Sequence, residues 1–98
     1  MYFPIFEWDE DKAEINLRKH GVSFDEAKTV FMDTESLLIN DPDHSLYEDR
    51  FLLLGKTTSY KLLIVCHCYR CSDTVIRIIS ARKATRHEAS MYYEREVR

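Results

Sequence analysis

The stretch from Lys61 to Tyr69 constrains the fold more than any other part of this sequence. Its interior is apolar at nearly every position. A strand with one solvent-exposed face would instead carry polar residues at alternate positions. A strand with two apolar faces is buried on both sides, so this pattern predicts a central strand of a sheet. Apolar stretches at 50–55 and 74–82 flank it, and short polar turns connect the three. Residues 50–82 therefore predict an antiparallel meander.

Two helix signals precede the meander. Asp9 offers a side-chain oxygen as an N-cap and Gly21 supplies a left-handed C-cap, which predicts a helix over about 9–20. Ser23 and Glu26 have the spacing of a capping box at the start of a second helix. Four apolar residues of that helix recur on one stripe at helical spacing: Phe24, Ala27, Val30 and Phe31. The two helices are expected to form a hairpin packed against an apolar surface.

The remaining elements complete the predicted order. Residues 4–8 and 36–40 each fit a short strand, and Thr85 with Glu88 forms another capping box before a last helix. The order is β-α-α-β-β-β-β-α. Because the helices are grouped outside the meander, the predicted class is α+β, with two N-terminal helices packed on an antiparallel sheet and a C-terminal helix.

Length and composition limit the type of protein. Ninety-eight residues suffice for one core but not for two, which predicts a single domain over residues 1–98. No apolar run approaches the roughly 20 residues that span a bilayer. The N-terminus lacks the basic region and apolar stretch of a secretory signal. We therefore expect a soluble, cytoplasmic protein with no membrane partner, and the crowded cysteines at 66, 68 and 71 fit reduced thiols.

The net charge of −3 conceals an asymmetry between the two halves of the chain. Residues 1–50 contain thirteen acids and five bases, a balance of −8, whereas residues 51–98 contain four acids and nine bases, a balance of +5. The basic half could contact a polyanion locally, since the field near a surface matters more there than the total charge. A solvated face of mixed charge is the alternative.

The junction between the last strand and the last helix is the strongest candidate for chemistry. Along a regular strand, Arg77, Ile79 and Ala81 would face one side of the sheet, and the residues between and after them, Ile78, Ser80 and Arg82, would face the other. Arg82 ends the strand and Arg86 begins the helix, so their guanidiniums are expected to converge near a helix N-terminus that favours anions. Such a site suits a phosphodiester and its developing charge. In the alternative, Arg82 and Arg86 pair with Glu88 or with acids of the N-terminal half.

The four histidines differ in what their positions indicate. His44 lies in the polar loop 41–45, where a neutral imidazole could act as a base toward a ribose 2′-OH, or simply form part of a turn. His67 lies in the middle of a strand, where a buried structural role competes with a site role. His20 suits the C-terminal end of a helix, and His87 is expected to be exposed.

Two further patterns have simple explanations. Cys66, His67, Cys68 and Cys71 suggest zinc ligands, but consecutive residues of a strand point to opposite faces, so we predict no metal site there. Three polar residues fall on one stripe of the first helix and are expected to form a solvated face: Lys12, Asn16 and Lys19.

The sequence resembles the BrnT toxins from about residue 6 to residue 93. The motifs that carry the resemblance are Phe6-Glu7-Trp8-Asp9, Lys12, Asn16, Arg18-Lys19-His20-Gly21-Val22-Ser23-Phe24, Glu26-Ala27, Val30-Phe31, Asp41-Pro42-Asp43-His44-Ser45, Glu48 to Arg50, and Arg77-Ile78-Ile79-Ser80-Ala81-Arg82-Lys83-Ala84-Thr85. The combination of the Lys-His-Gly-Val helix end with the Arg-Ile-Ile-Ser-Ala-Arg strand is highly specific.

This resemblance implies a RelE-like fold and a ribonuclease toxin that blocks translation. It implies RNA as the substrate, a BrnA-like antitoxin that neutralises the toxin, and a complex that represses its own promoter through the antitoxin's DNA-binding part. It also implies metal-independent acid–base chemistry on the 2′-OH, with no cofactor. A catalytically weak or inactive binding module that acts as corepressor is the alternative.

The resemblance also suggests roles for individual residues. Arg82 is the candidate for stabilising charge in the transition state, and either His44 or His67 for proton transfer. The candidate substrate-binding cations are Arg77, Arg86 and Lys19. We expect the antitoxin to cover the basic sheet face and the last helix, with Tyr92 and Tyr93 as anchors. The alternative is that one of these tyrosines belongs to the core and the other is merely exposed.

Overall fold

A computed structural model of the protein describes residues 4–40 and 49–95. The elements in chain order are β1 (Ile5–Glu7), α1 (Glu10–His20), α2 (Phe24–Ala27), a 3-10 helix (Lys28–Met32), β2 (Leu37–Asn40), β3 (Phe51–Lys56), β4 (Leu62–Arg70), β5 (Val75–Lys83) and α3 (Arg86–Glu94). The predicted order β-α-α-β-β-β-β-α and the α+β class are confirmed. None of the helices in these two ranges is long and apolar enough to cross a bilayer.

The helices begin and end where the capping residues predict. The Asp9 carboxylate accepts hydrogen bonds from the N–H groups of Asp11 and Lys12, and Gly21 ends α1 in the left-handed region at a φ of 70°. The Ser23 hydroxyl accepts the N–H of Glu26 at the start of α2. At α3, Thr85 and Glu88 form the complete capping box, with both reciprocal hydrogen bonds.

The five strands form one sheet in the order β1-β5-β4-β3-β2. Strands β2 to β5 pair antiparallel with their neighbours in sequence, as the meander predicts, and β4 lies at the centre. Strand β1 pairs parallel with β5, and its three residues cover only 75–77. The first strand of the chain is therefore held by the last one.

A β-bulge interrupts the pairing of β4 with β5. Cys66 pairs with Ser80, but the next residue of β4, His67, pairs with Ile78. Ile79 is thus an extra residue in β5 without an opposite residue in β4. Such an insertion shifts the alternation of side chains by one position along the strand that carries it.

The bulge overturns the predicted distribution of side chains in β5. Ile78 and Ala81, three residues apart, lie in the same buried cluster. Arg77 pairs with Cys68 of β4, and Arg82 pairs with Ile64. Cys68 and Ile64 are four residues apart in a strand and therefore lie on the same face of the sheet, so their partners Arg77 and Arg82 do as well. The prediction that Arg77 and Arg82 lie on opposite faces is wrong, because it assumed a regular strand.

Helices cover both faces of the sheet. On one face, α1, α2 and the 3-10 helix form the main core with the sheet, and its buried residues are Val22, Phe24, Ala27, Val30, Leu53, Leu63, Val65, Ile78 and Ala81. On the other face, Tyr92 of α3 packs on Leu54 and Ile64. The Tyr92 hydroxyl also donates to the Asp33 carboxylate at 2.7 Å, which ties α3 to the segment after the 3-10 helix.

Asn16 joins α1 to the part of β5 that β1 does not reach. Its side-chain oxygen accepts the N–H of Ala81 at 3.0 Å, and its amide nitrogen donates to the carbonyl oxygens of Ala81 and Val22, both at 2.9 Å. The amide thus takes the place of a neighbouring strand at the edge of β5 that β1 leaves unpaired. The prediction that Asn16 belongs to a solvated face is wrong, since its side chain satisfies backbone groups that are buried.

Candidate functional site

The face of the sheet that carries α3 also carries two arginines of β5. Arg77, Ser80 and Arg82 lie on it, opposite Cys68, Cys66 and Ile64 of β4. We name this surface the arginine face. Arg77 and Arg82 are five residues apart, so their Cα atoms are about 15 Å apart along the strand. They stand at opposite ends of the arginine face.

At the α3 end, Arg82 is paired with Glu88. Its Nη1 and Nη2 donate to the two carboxylate oxygens at 2.7 and 2.9 Å, which is a bidentate pair. The hydrogen bonds from Arg82 lower the pKa of Glu88 to about 2, against the opposing effect of burial. They also raise the pKa of Arg82. Both groups are therefore fully charged at neutral pH.

At the other end, Glu7 stands between two arginines. Arg77 Nη1 donates to Glu7 Oε2 at 2.7 Å, across the parallel pairing of β1 with β5. Arg70 Nε lies 3.5 Å from the same oxygen. This cluster of two guanidiniums and one carboxylate has a net charge of +1, and all three side chains are partly exposed.

The structure departs from the expected convergence of free cations. Arg77 and Arg82 are each paired with a carboxylate, and the alternative weighed for Arg82, a pair with Glu88, is confirmed. Arg86 is exposed as the first residue of α3 and makes no ion pair within the described ranges. The capping role of Glu88 explains the pairing, because the carboxylate that reaches back to the Thr85 N–H also comes within reach of Arg82.

His67 is separated from the arginine face by the sheet itself. It is 0% exposed and packs edge-on against Phe31 of the 3-10 helix, with ring centroids 4.8 Å apart. Burial lowers its pKa, so the ring is neutral. Its nitrogens lie 3.1 Å from the Val65 carbonyl oxygen and 3.3 Å from the Tyr69 hydroxyl. The hypothesis that His67 transfers a proton beside Arg82 is inconsistent with this position, and the structural role applies.

The other predicted site residues are not assembled around Arg82. Lys19 is exposed in the last turn of α1, in the helical layer on the opposite side of the sheet. His20 occupies the same turn, and His87 is exposed in the first turn of α3. His44 lies outside the described residues.

The two tyrosines proposed as antitoxin anchors differ in accessibility. Tyr92 is 3% exposed and belongs to the core, so its expected role as a surface anchor is wrong. Tyr93 is 47% exposed and stacks on the Tyr92 ring at 5.1 Å between centroids. The Lys56 ammonium lies 5.0 Å from the Tyr93 ring centroid, within cation–π distance. Of these two tyrosines, only Tyr93 presents its ring at the surface of α3.

The cysteine-rich segment does not assemble ligands. Cys66 and Cys68 are buried on the arginine face, whereas His67 points to the opposite side and Cys71 is exposed in the following turn. Within residues 4–40 and 49–95, no group of three or more His, Cys, Asp or Glu residues is arranged to hold a metal ion.

Sequence reasoning missed Glu7 and Arg70. Glu7 follows two apolar residues in a short strand, and nothing in the sequence shows which strand it will pair with. Only the parallel contact of β1 with β5 places it beside Arg77. The available signal was the position of Glu7 in the Phe-Glu-Trp-Asp motif that carries the family resemblance.

Comparisons with known proteins agree with the motif resemblance. Residues 8–88 match the family described as "Ribonuclease toxin, BrnT, of type II toxin-antitoxin system". Among solved structures, the chain is similar to the ribonuclease toxin BrnT of Brucella abortus, with a TM-score of 0.61 and 21% identity over 86% of this chain and 100% of that chain. No curated relative matches the chain. The structural likeness supports the fold, and the sequence match covers more than half of the chain.

Proposed function

Because the chain belongs to the BrnT family of ribonuclease toxins of type II toxin–antitoxin systems, we propose that it is an endoribonuclease that inhibits translation. It acts on RNA in the cytoplasm by metal-independent acid–base chemistry. The observation that carries the proposal is the arginine face, where the β5 bulge places Arg77 and Arg82 on one side of the sheet. Guanidiniums are the side chains best suited to bind phosphate through two parallel hydrogen bonds.

The spacing of the two arginines suits a single strand of RNA. Two cations about 15 Å apart along β5 contact different phosphates of the same strand. The strand would then lie along β5, with α3 at one end and β1 at the other. Charge within the basic half of the chain, +5 over residues 51–98, favours this approach despite the acidic average.

Arg82 is proposed to stabilise the transition state. The 2′ oxygen attacks the adjacent phosphorus, the bond to the 5′ oxygen breaks, and negative charge grows on the non-bridging oxygens. Arg82 is partly exposed, so a phosphate can take over part of its bidentate pairing from Glu88. Arg86, at the start of α3, is proposed to bind a neighbouring phosphate together with the N-terminal N–H groups of the helix. His44 remains a candidate for proton transfer.

The proposed protein partner is a BrnA-like antitoxin that covers the arginine face and α3. Tyr93, which is exposed, and Lys56, which is partly buried, form the aromatic and cationic part of that surface. Tyrosine is enriched among residues that dominate interface energy. DNA binding by the complex is proposed to reside in the antitoxin.

Cleavage of purified RNA by an Arg82→Ala variant tests the nuclease proposal. We expect wild-type cleavage to persist with a chelator present, and the variant to be slower by ~100-fold or more. Lys83→Ala is the matched control, since Lys83 is the next cation in β5 but lies on the other face, opposite Leu63. Thermal unfolding of each variant separates lost chemistry from lost folding. A folded Arg82→Ala variant with wild-type cleavage contradicts the role of Arg82.

The pairing of both arginines with carboxylates favours a second candidate function. A protein whose cations are already neutralised could bind its antitoxin as a corepressor without cleaving RNA. This candidate predicts tight complex formation and no RNA cleavage at any protein concentration. The same assay with purified wild-type protein distinguishes the two.

A further inference from the structure

We propose that Glu7 is the general base of the RNA cleavage reaction, acting between Arg70 and Arg77 at the β1 end of the arginine face. This inference rests on the proposed ribonuclease function and names a catalytic residue for it. The substrate is a single RNA strand whose scissile phosphate lies over this cluster. Arg70 and Arg77 then stabilise the transition state in place of Arg82, which lies about 15 Å away along β5 and binds a second phosphate of the same strand.

Arg77 and Arg82 are each paired with a carboxylate, Glu7 and Glu88 respectively, and the two carboxylates differ in availability. Both oxygens of Glu88 accept hydrogen bonds from Arg82, and one of them also accepts the Thr85 N–H. Its side chain is 18% exposed. A carboxylate held in this way is a poor proton acceptor, because taking up a proton would break the pair and the helix cap.

Within the described residues, the ion pairs of Glu7 use only one of its two carboxylate oxygens. Its contacts with Arg77 and Arg70 both use Oε2, and Oε1 accepts no hydrogen bond from residues 4–40 or 49–95. The side chain is 38% exposed, so a ribose hydroxyl can reach Oε1. One oxygen is therefore oriented by a short bond to Arg77, while the other is open to substrate, which is the arrangement that a positioned base requires.

Arg70 and Arg77 can bind the phosphate while Glu7 accepts the proton. Arg77 uses only Nη1 to hold Glu7, and Arg70 approaches through Nε, so each guanidinium keeps N–H groups for a phosphate. A phosphodiester over this cluster would have cations at its non-bridging oxygens and a carboxylate near the 2′-OH. The net charge of +1 attracts the phosphate, and the cluster still contains a carboxylate that can accept a proton.

The histidines of the described ranges do not offer a competing base at this place. His67 is buried on the other side of the sheet, His20 ends α1 in the opposite helical layer, and His87 lies on α3 at the far end of the face. Glu7 is the carboxylate that the parallel pairing of β1 with β5 brings into direct contact with Arg77.

The proposed step balances without any further reagent. Glu7 Oε1 takes the proton from the 2′-OH as the 2′ oxygen forms its bond to phosphorus. The bond from phosphorus to the 5′ oxygen breaks, and that oxygen takes a proton from water. The products are a 2′,3′-cyclic phosphate and a 5′-hydroxyl end, and Glu7 returns its proton to solvent.

The test compares Glu7→Gln with wild type in two separate measurements. The first is the cleavage rate of a short RNA oligonucleotide at saturating protein, with the 2′,3′-cyclic end identified. The second is the Kd for the same sequence carrying 2′-O-methyl groups, which binds but cannot react. Glutamine keeps a side-chain oxygen that can accept the Arg77 hydrogen bond, so the local structure is preserved.

We expect Glu7→Gln to slow cleavage by ~100-fold or more while Kd stays within threefold or becomes tighter. The matched control is Glu14→Gln, because Glu14 is also an exposed glutamate in an ion pair with an arginine, 3.5 Å from Arg18 on α1. Its cleavage rate should stay within twofold of wild type, and thermal unfolding should show all three proteins folded at the assay temperature.

Two results would overturn the assignment of Glu7 while leaving the ribonuclease function intact. One is Glu7→Gln cleaving within threefold of an active wild type, particularly if His44→Ala is inactive. The other is a loss of cleavage that merely follows a loss of RNA affinity or of folding, which would make Glu7 structural. A wild-type protein that cleaves no RNA would instead overturn the proposed function itself, and this inference with it.

Discussion

Replacing Asn16 with alanine should lower the free energy of unfolding by about 3 kcal/mol. The side chain makes three hydrogen bonds to backbone groups, and it is only 5% exposed. Each such bond contributes roughly 0.5–1.5 kcal/mol net, so three contribute about 1.5–4.5 kcal/mol. Alanine favours the helix by up to ~0.7 kcal/mol over asparagine, which offsets a small part of the loss. The backbone groups of Ala81 and Val22 would be left buried without partners.

Urea unfolding followed by far-UV circular dichroism measures this difference. A loss of about 3 kcal/mol also corresponds to a fall in Tm of roughly 12–24 °C for a domain of this size. Lys12→Ala is the matched control, since Lys12 lies one turn earlier on the same helix and is exposed, and it should change stability by less than ~0.5 kcal/mol. Asn16→Asp adds a second comparison, because it keeps an acceptor for the Ala81 N–H but loses both donor bonds.

The reasoning would be refuted by an Asn16→Ala variant within ~1 kcal/mol of wild type at an unchanged m-value. That result would mean that water or a shifted backbone satisfies the edge of β5 equally well. An Asn16→Asp variant as stable as wild type would show that the two bonds to carbonyl oxygens contribute little.

Two further predictions concern packing and charge. The hydrogen bonds from Arg82 lower the pKa of Glu88 to about 2, below the value of about 4.5 expected for an unpaired glutamate. The pair therefore stabilises the fold fully above pH 4.5, and this contribution is lost as the pH falls toward 2. Glu88→Gln should lack roughly 1–2 kcal/mol of stability at pH 7, after allowance for solvent screening, and should show a flatter dependence of Tm on pH between 5 and 2 in thermal melts; equal slopes would contradict this. Gly55→Ala should cost ~1–3 kcal/mol in urea unfolding, because the new Cβ would lie 2.9 Å from a valine methyl carbon of the 3-10 helix and 3.1 Å from the Asp33 carboxylate; a neutral effect would show that the 3-10 helix yields easily.

Much of the fold could be predicted from local signals. The caps at Asp9, Gly21 and Thr85 act within a few residues of themselves, so the sequence alone locates the helix ends. The apolar stretch around Val65 predicts a central strand because burial on both faces requires it. These features need no knowledge of the rest of the chain.

The features that shape the candidate site are long-range, and the sequence gives little sign of them. The bulge at Ile79 is marked by no glycine, so nothing in the composition of β5 shows that Arg77 and Arg82 share a face. Asn16 shares a helix stripe with Lys12 and Lys19, which predicts exposure, and only the edge of β5 that β1 leaves uncovered explains its burial. The partner of Arg82 could be anticipated from the capping motif, because Glu88 is six residues away, whereas the partner of Arg77 could not.

The parallel pairing of β1 with β5 has a consequence for synthesis of the chain. Seventy residues separate Glu7 from Arg77, and sixty-five separate Asn16 from Ala81. Strand β1 and helices α1 and α2 are therefore synthesised long before β5, the strand on which they pack. Nascent chains that stop short of β5 can assemble neither the core nor the surface that carries the arginines, so incomplete products of translation should be inert.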